Sequence, residues 1–183
     1  MMNKREYRSL IRSRHAGESA RSEQSKRICE HILASEIYQN AAVIAGYIPL
    51  KWETDITPVL EAALRRGKTV ALPLCGQAPE MTFRRVASLS ELVSGAYGIP
   101  EPPAHSHEIT LTAEDLILVP LEGIDDSGTR LGKGGGYYDC LLKDQQVPAM
   151  GCALTWQCVK DLPKDPWDVA LKMCATPDGI RYF

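Results

Sequence analysis

The stretch from Arg130 to Asp139 concentrates groups that are suited to binding phosphate. It reads RLGKGGGYYD and holds four of the chain's 14 glycines. Glycines let backbone N–H groups approach an anion closely, and a helix that begins after such a loop adds a partial positive charge. Arg130 and Lys133 supply full positive charges, and the carboxylate of Asp139 could hold Mg²⁺ beside the phosphates. The stretch therefore predicts a phosphate or nucleotide site.

Two common phosphate-binding loops do not match this stretch. A Walker A loop needs five residues from its first glycine to the second, and a Ser or Thr after its lysine. Gly128 is four residues before Gly132, and Lys133 is followed by Gly134. A Rossmann fingerprint starting at Gly132 would need a third glycine where Tyr137 stands. A tight structural turn is the alternative, which the surrounding charged and aromatic residues make less favourable.

The first half of the chain predicts a β-α-β unit behind two helices. Residues 3–15 place basic and apolar side chains at helical spacing, which predicts an amphipathic helix with one basic face. Residues 19–39 predict a second helix. The apolar run 41–49 is typical of a central parallel strand, followed by a helix ending at Gly67 and a strand over 68–75. Such a unit predicts a parallel pair with a right-handed crossover.

The second half predicts more strands around the glycine loop. Strands are predicted over 81–86, 114–121 and 148–154, a helix over 137–143, and a last strand or hairpin in the tail. Residues 89–103 are rich in Gly and Pro and predict a loop. The pattern indicates one domain over residues 1–183, of the α/β class, with a mainly parallel central sheet between two helical layers.

Composition excludes several classes of protein. The chain has 183 residues and a net charge of −2, so no basic field indicates nucleic-acid binding. Its apolar runs are too short to span a membrane, and the basic N-terminus has no signal-type apolar region. Six cysteines lack metal-ligand spacing, so they are interpreted as reduced thiols of a cytoplasmic protein.

Five segments in order resemble the 5-formyltetrahydrofolate cyclo-ligase family. The most specific is LVPLEGIDDSGTRLGKGGGYYD at 118–139, where the family has a Val-Pro strand end, an Asp and an Arg-Leu-Gly-x-Gly-x-Gly-Tyr-Tyr-Asp run. The others are KREYR, YIPLKWETDITPVL, SLSELVSGAYGIPEPP and LPKDPWDVAL. The resemblance covers nearly the whole chain. One departure is Glu122, which stands where the family has an apolar residue and could change the polarity of a pocket.

The resemblance implies an enzyme that uses ATP and Mg²⁺ to close a folate ring. ATP would phosphorylate the formyl oxygen of 5-formyltetrahydrofolate, polyglutamylated or not, and N10 would then attack the activated carbon. Phosphate leaves, and the products are 5,10-methenyltetrahydrofolate and ADP. The implied scaffold is shared with phosphosugar isomerases and coenzyme A transferases, and the expected state is a monomer or weak dimer without nucleic-acid or membrane partners.

The resemblance also implies roles for particular residues. Lys4 and Arg8, four apart on one helix face, would contact the ATP phosphates. Glu53 would anchor the folate through its pterin N–H groups, with Asp139 and Asp168 as metal ligands and Asp125 as a weaker metal candidate. The remaining implied residues are, for ATP, Arg130, Gly132, Lys133, Gly134, Gly135, Gly136, Tyr137 and Tyr138; for the substrate, Ile48 and Tyr137; and for catalysis, Arg130, Lys133 and Tyr137.

Two other functions stay open at this point. One is a different small-molecule enzyme on the same scaffold that acts on a phosphorylated substrate, because a fold alone does not determine function. The other is a non-catalytic relative that binds folate, nucleotide or RNA. The joint presence of Lys4, Arg8, the glycine loop and Asp168 favours the cyclo-ligase over both.

Overall fold

A computed structural model of the chain describes residues 2–95, 98–143 and 146–183. Its strands are, in chain order, β1 (Val43–Ala45), β2 (Thr69–Cys75), β3 (Met81–Val86), β4 (Val93–Ser94), β5 (Pro100–Glu101), β6 (Glu108–Ile109), β7 (Leu116–Val119), β8 (Gly123–Ile124), β9 (Arg130–Leu131), β10 (Ala149–Cys152), β11 (Met173–Thr176) and β12 (Gly179–Tyr182). Its α-helices are α1 (Lys4–Ser13), α2 (Glu18–Ala34), α3 (Glu36–Asn40), α4 (Thr57–Arg65) and α5 (Tyr137–Lys143).

Eight strands form the central sheet, in the order β12-β11-β10-β7-β1-β2-β3-β6. The five from β11 to β2 run parallel. At the edges, β12 pairs antiparallel with β11, β3 pairs antiparallel with β2, and β6 pairs antiparallel with β3. This confirms the mainly parallel sheet and the β1-α4-β2 unit. From β1 the chain proceeds to β2 on one side and later to β7 on the other. The carboxyl ends of β1 and β7 therefore border a topological switch point, where open α/β sheets bind ligands.

Helices cover both faces of the sheet, as the sequence predicts. On one face, Ile32 of α2 and Leu60 of α4 are buried in the same cluster as Ile44 of β1. On the other face, Leu142 of α5 packs in a cluster with Ile117 of β7. Successive residues of each parallel strand point to opposite faces, so strands covered on both sides are apolar throughout. Among the described residues, no helix has the length and apolar character needed to cross a membrane.

Three predicted elements differ clearly from the observed ones. The helix predicted over 19–39 is interrupted at Ser35, whose backbone is extended and whose hydroxyl accepts a hydrogen bond from Tyr38 N at 3.3 Å. A serine at this position caps a new helix instead of continuing the old one. The strand predicted over 41–49 is limited to β1, and the predicted loop 89–103 includes the β4–β5 ribbon, with Ala96 and Tyr97 outside the described residues.

Local capping determines where α1 begins. The side chain of Asn3 accepts a hydrogen bond from Glu6 N at 3.0 Å, and the Glu6 carboxylate accepts one from Asn3 N at 2.7 Å. This reciprocal capping box satisfies two backbone donors that have no partner within the helix. Ile11 is buried and holds the other end of α1 against the core. The basic side chains of the helix are thereby positioned from both ends.

Thiol reactivity provides a check on this fold. All six cysteines are free, Cys140 is exposed, and burial raises the pKa of Cys29 to about 12. Since the thiolate is the reactive species, we expect iodoacetamide at pH 8 to modify Cys140 first and Cys29 only after unfolding or at higher pH. Peptide mass spectrometry over a time course measures the order. Modification of Cys29 before Cys140 in the folded chain would contradict the packing.

Candidate active site

The glycine loop lies between β9 and α5. The β8–β9 hairpin lies between β7 and this loop, so the loop follows β9 and not the buried strand β7. Gly136 has a φ of +71°, a conformation that side-chain-bearing residues rarely adopt. Its carbonyl accepts a hydrogen bond from Cys140 N at 2.9 Å, which starts α5 at the predicted residue. The loop therefore opens a helix, as phosphate-binding loops do.

A close backbone approach attaches the hairpin to the segment that carries Asp168. Gly128 has a φ of +79°, and a Cβ there would lie 2.2 Å from the carbonyl oxygen of Leu171. The carbonyl of Gly128 accepts a hydrogen bond from Leu171 N at 2.9 Å. Only glycine permits this contact. The contact brings residues distant in sequence to the same edge of the sheet.

Asp139 and Asp168, the predicted metal ligands, approach each other through this segment. Asp139 Oδ1 accepts hydrogen bonds from Val169 N at 3.2 Å and from Arg130 Nη2 at 2.8 Å. Arg130 is 6% exposed, so the guanidinium is buried against the carboxylate. The backbone donor to Asp139 therefore belongs to the residue that follows Asp168. The structure brings the two carboxylates into one loop region.

Lys4 connects the N-terminal helix to the same region. Its ammonium lies 2.8 Å from Asp165 Oδ2 and 2.5 Å from Asp168 Oδ2. Asp165 N also donates to Asp168 Oδ2 at 2.7 Å. Burial lowers the pKa of Lys4, but the hydrogen bonds and charges of Asp165 and Asp168 outweigh it and raise the pKa above its ordinary value. Lys4 is therefore a cation held between two carboxylates.

This arrangement fits a magnesium ion, although the described residues include no cluster of three or more metal-binding side chains. Carboxylates of Asp165 and Asp168 already converge on one positive charge, the Lys4 ammonium, which stands where a cation is stabilised. Asp139 adds a neighbouring carboxylate. Mg²⁺ usually takes one or two carboxylate oxygens and keeps several waters. The donor set is therefore of the right chemistry, and the ligand roles stay a prediction.

Glu53 and the glycine loop meet directly. Glu53 is 2% exposed, its Oε2 accepts a hydrogen bond from Leu50 N at 2.8 Å, and its Oε1 lies 2.8 Å from Lys133 Nζ. The Lys133 contact is an ion pair that lacks hydrogen-bond geometry, so Oε1 has no hydrogen-bond partner among the described residues. Next to it, Arg8 Nε donates to the carbonyl of Gly132 at 2.8 Å. Helix α1, the loop and the β1–α4 connection thus share one site.

Buried polar atoms without partners mark the interior of this site. Within the described part of the chain, Glu53 Oε1, Tyr138 Oη and Arg130 Nε have no hydrogen-bond partner. Tyr138 Oη and Arg130 Nε each cost about 1–3 kcal/mol when nothing satisfies them, whereas Glu53 Oε1 has the Lys133 ammonium 2.8 Å away. Burial raises the pKa of Tyr138, and the charge of Glu53 raises it further against the opposing effect of Arg130. Tyr138 is therefore a neutral hydroxyl near a carboxylate, and both could contact a bound polar molecule.

Three other predicted residues have varied surroundings. Ile48 is partly buried and packs against the larger core cluster. Tyr137 begins α5 and is half-buried. Asp125 is unsuited to metal binding, because its two oxygens accept hydrogen bonds from the backbone N–H groups of Ser127, Thr129 and Leu162. Its role is to shape the hairpin turn.

Comparison with known proteins decides the family. The model of the 5-formyltetrahydrofolate cyclo-ligase family matches residues 1–177. The chain belongs to the 5-formyltetrahydrofolate cyclo-ligase family. It is 33% identical to the 5-formyltetrahydrofolate cyclo-ligase of Escherichia coli K12 over 76% of this chain and 80% of the relative. The corresponding mouse protein is 28% identical over 91% of this chain and 89% of its own length.

A solved structure gives the same result. The 5,10-methenyltetrahydrofolate synthetase of Aquifex aeolicus superposes with a TM-score of 0.84 at 32% identity, covering 99% of this chain and 93% of that one. The cyclo-ligase family match includes the glycine loop, Glu53 and Asp168. The likeness of the scaffold to phosphosugar isomerases and coenzyme A transferases stays a prediction.

The sequence analysis missed two charged pairs that involve residues of α1. Asp165 holds Lys4 together with Asp168, and its position three residues before Asp168 in a Pro-containing turn was the available signal. Arg12 forms an ion pair with Glu122, with Nη2 and Oε1 2.5 Å apart. Arg12 lies four residues after Arg8 on the same helix face, so it extends the basic face of α1.

Proposed function

We propose that this chain converts 5-formyltetrahydrofolate to 5,10-methenyltetrahydrofolate, with ATP and Mg²⁺. Membership of the cyclo-ligase family supports the reaction and its dependence on ATP. The observation that carries the assignment of the site is the 2.8 Å contact between Lys133 of the glycine loop and the buried Glu53. Phosphoryl transfer needs the donor and the acceptor side by side, and this contact joins the group suited to phosphate to the group suited to folate.

The nucleotide half of the site consists of cations and backbone donors. Lys4 and Arg8 project from α1 towards the loop and Asp168, and Lys133 projects from the loop itself. Mg²⁺ held by Asp139 and Asp168 would neutralise charge on the phosphates. Arg130 is buried and paired with Asp139, so we assign it the task of orienting that carboxylate. Positioning and charge stabilisation are what phosphoryl transfer requires of a protein.

The folate half is assigned to Glu53 and the hydroxyl of Tyr138. A carboxylate with one oxygen lacking a hydrogen-bond donor suits the paired N–H groups of a pterin ring. Oxygen of the formyl group is a poor leaving group until ATP phosphorylates it. N10 then bonds to the formyl carbon and loses its proton, and the formyl oxygen departs with phosphate. The proximity of Lys133 to Glu53 supports transfer between two substrates that are bound side by side.

The direct test is a spectrophotometric assay of methenyltetrahydrofolate formation. Purified protein is mixed with 5-formyltetrahydrofolate, ATP and Mg²⁺, and parallel reactions omit ATP or include a chelator. We expect product only in the complete reaction, with ADP and phosphate formed in equal amounts. ATP-independent product would contradict the proposal, and so would the absence of product from protein that circular dichroism shows to be folded.

Replacing Lys4 is expected to have opposite effects on metal binding and on ATP binding. Lys4→Met removes the ammonium that Asp165 and Asp168 hold, so the two carboxylates gain affinity for a metal ion. We expect tighter Mn²⁺ binding in the absence of nucleotide, by about threefold or more, and weaker ATP binding, by about tenfold, because a phosphate contact is lost. Electron paramagnetic resonance measures free Mn²⁺ and hence its affinity, and calorimetry measures the affinity for ATP.

Lys26→Met provides the matched control, because Lys26 is exposed on α2 and lies outside this site. It should leave both affinities unchanged. Weaker Mn²⁺ binding by Lys4→Met would contradict the view that the ammonium and the metal compete for the same carboxylates.

A further inference from the structure

The residue that follows β12 lies beside the hairpin that leads into the glycine loop. Strand β12 pairs antiparallel with β11 at the edge of the central sheet, and Phe183 N donates a hydrogen bond to the carbonyl of Lys172 at 3.0 Å. The neighbouring Leu171 N donates to the carbonyl of Gly128 in the β8–β9 turn. Three segments that are distant in sequence therefore meet at this point of the sheet edge.

The ring of Phe183 packs on the turn of the hairpin. A Cβ built on Gly128 would lie 3.0 Å from Phe183 Cγ and Cδ2, and 2.2 Å from the carbonyl oxygen of Leu171. The space beside this glycine is thus filled by an aromatic ring and a backbone carbonyl. Phe183 is 37% exposed, so most of its surface is covered. This contact is favourable because it removes apolar surface from water.

Arg181 makes a second attachment between β12 and the same turn. Its Nη2 donates to Asp126 Oδ1 at 3.0 Å, and its guanidinium carbon lies 5.5 Å from the ring centroid of Phe183. Asp126 lies two positions before Gly128. Both side chains of the ion pair are exposed, and exposed ion pairs contribute little to stability. The ring of Phe183 is therefore the stronger of the two attachments.

The segments that meet here carry the carboxylates of the proposed metal site. The hairpin continues through the glycine loop to Asp139, and the segment before Leu171 carries Asp168. Asp139 Oδ1 accepts a hydrogen bond from Val169 N at 3.2 Å, so the two carboxylates belong to segments that already touch. Any movement of the hairpin away from residues 165–171 would separate them.

We propose that Phe183 is a positioning residue for the metal site. Its ring holds the turn at Gly128 against the segment of Asp168, so that Asp139 and Asp168 stand together before a metal ion binds. The proposal rests on the proposed function for the metal and adds a residue outside the site that organises it. A site that is formed in only a fraction of the molecules has its apparent affinity reduced by that fraction. Loss of the ring therefore weakens metal binding although every ligand is retained.

Hydrogen-exchange mass spectrometry tests the local attachment. Phe183→Ala should raise exchange by about fivefold or more in peptides that cover residues 126–131 and 165–172, because a lost contact favours local opening. Peptides from α2 and α4 should exchange at wild-type rates. Faster exchange throughout the chain would contradict the proposal, since Phe183 would then stabilise the whole fold and not these two segments.

Binding of Mn²⁺ in the absence of nucleotide tests the consequence for the site. We expect Phe183→Ala to weaken it by about fivefold, as for a site formed in about a fifth of the molecules. Electron paramagnetic resonance measures the free ion. Phe183→Tyr keeps a ring and should restore both the exchange rates and the affinity. Faster exchange with wild-type Mn²⁺ affinity would overturn the positioning role.

Tyr182→Ala is the matched control. Tyr182 is the adjacent aromatic residue, it is 74% exposed, and successive side chains of a strand point to opposite faces. Its replacement removes a ring of similar size and should leave both measurements unchanged, so equal effects of the two alanine variants would refute the proposal. If Phe183→Ala does not fold, Arg181→Met replaces it in the test. A change of about twofold in the same peptides is then expected, as for an exposed ion pair, and wild-type exchange would refute the proposal.

The outcomes distinguish the positioning role from the proposed function, because neither measurement requires turnover. If wild type forms product and Phe183→Ala keeps wild-type exchange and Mn²⁺ affinity, the positioning role is wrong and the function stands. If Phe183→Ala shows both expected changes while folded wild type forms no product, the positioning role stands and the function fails. If folded wild type binds no Mn²⁺, the metal site is wrong and the positioning role fails with it.

Discussion

Replacing Asp168 with asparagine is expected to lower kcat/KM by about 100-fold or more at millimolar Mg²⁺. Asparagine keeps the shape of the side chain but removes the charge that faces Lys4 at 2.5 Å. Both the metal and the phosphate-binding lysine would lose a partner, and single electrostatic contacts of this kind are worth about 10²–10³ in rate. The effect should diminish as Mg²⁺ is raised, because part of the loss is in metal affinity.

Asp161→Asn serves as the control for this prediction. Asp161 is an exposed carboxylate seven positions before Asp168, and surface substitutions of this type change stability by about 0.5 kcal/mol or less. Its kcat/KM should stay within about twofold of wild type. Titration of Mg²⁺ at saturating ATP measures both variants. An Asp168→Asn enzyme with wild-type activity and wild-type magnesium dependence would exclude Asp168 from the metal site.

Replacing Glu53 with glutamine is expected to raise the KM for 5-formyltetrahydrofolate by about 10- to 150-fold. The buried carboxylate loses its charge and one of its two acceptor oxygens, and a charge-assisted hydrogen bond is worth about 1.5–3 kcal/mol. The KM for ATP should change much less. Arg8→Ala should have the reverse effect, since Arg8 contacts the glycine loop and not Glu53. Steady-state kinetics that vary each substrate at a saturating concentration of the other measure the difference.

The ion pair between Lys133 and Glu53 requires a second variant in this experiment. Since Lys133 Nζ lies 2.8 Å from Glu53 Oε1, the Glu53→Gln variant also frees that lysine from an ion pair. Lys133→Met therefore accompanies it, and we expect it to raise the KM for ATP. Glu61→Gln, on the exposed side of α4, is the control and should leave both KM values unchanged. A Glu53→Gln enzyme in which only the KM for ATP is altered would refute the division into two half-sites.

The sequence alone predicted the elements whose cause is local. Helix α5 begins at the predicted Tyr137, and α1 lies within the predicted 3–15, because side-chain periodicity and capping act over a few residues. Strand β2 agrees with its prediction for the same reason. The break at Ser35 was missed because the apolar spacing continues across it, and only the cap shows that one helix ends and another begins.

Tertiary structure decided which distant charges meet. Lys4 and Asp168 are 164 residues apart, and Arg12 and Glu122 are 110 apart. The sequence could indicate that each residue type suited a nucleotide site, but not that Lys4 lies between two carboxylates or that a buried glutamate lies beneath Arg12. Those contacts depend on the position of β7 beside β1 and on the approach of Leu171 to Gly128, which are set by packing between segments. Periodicity determines elements, whereas long-range pairing determines the site, because its partners lie on separate helices and loops that only the folded sheet brings together.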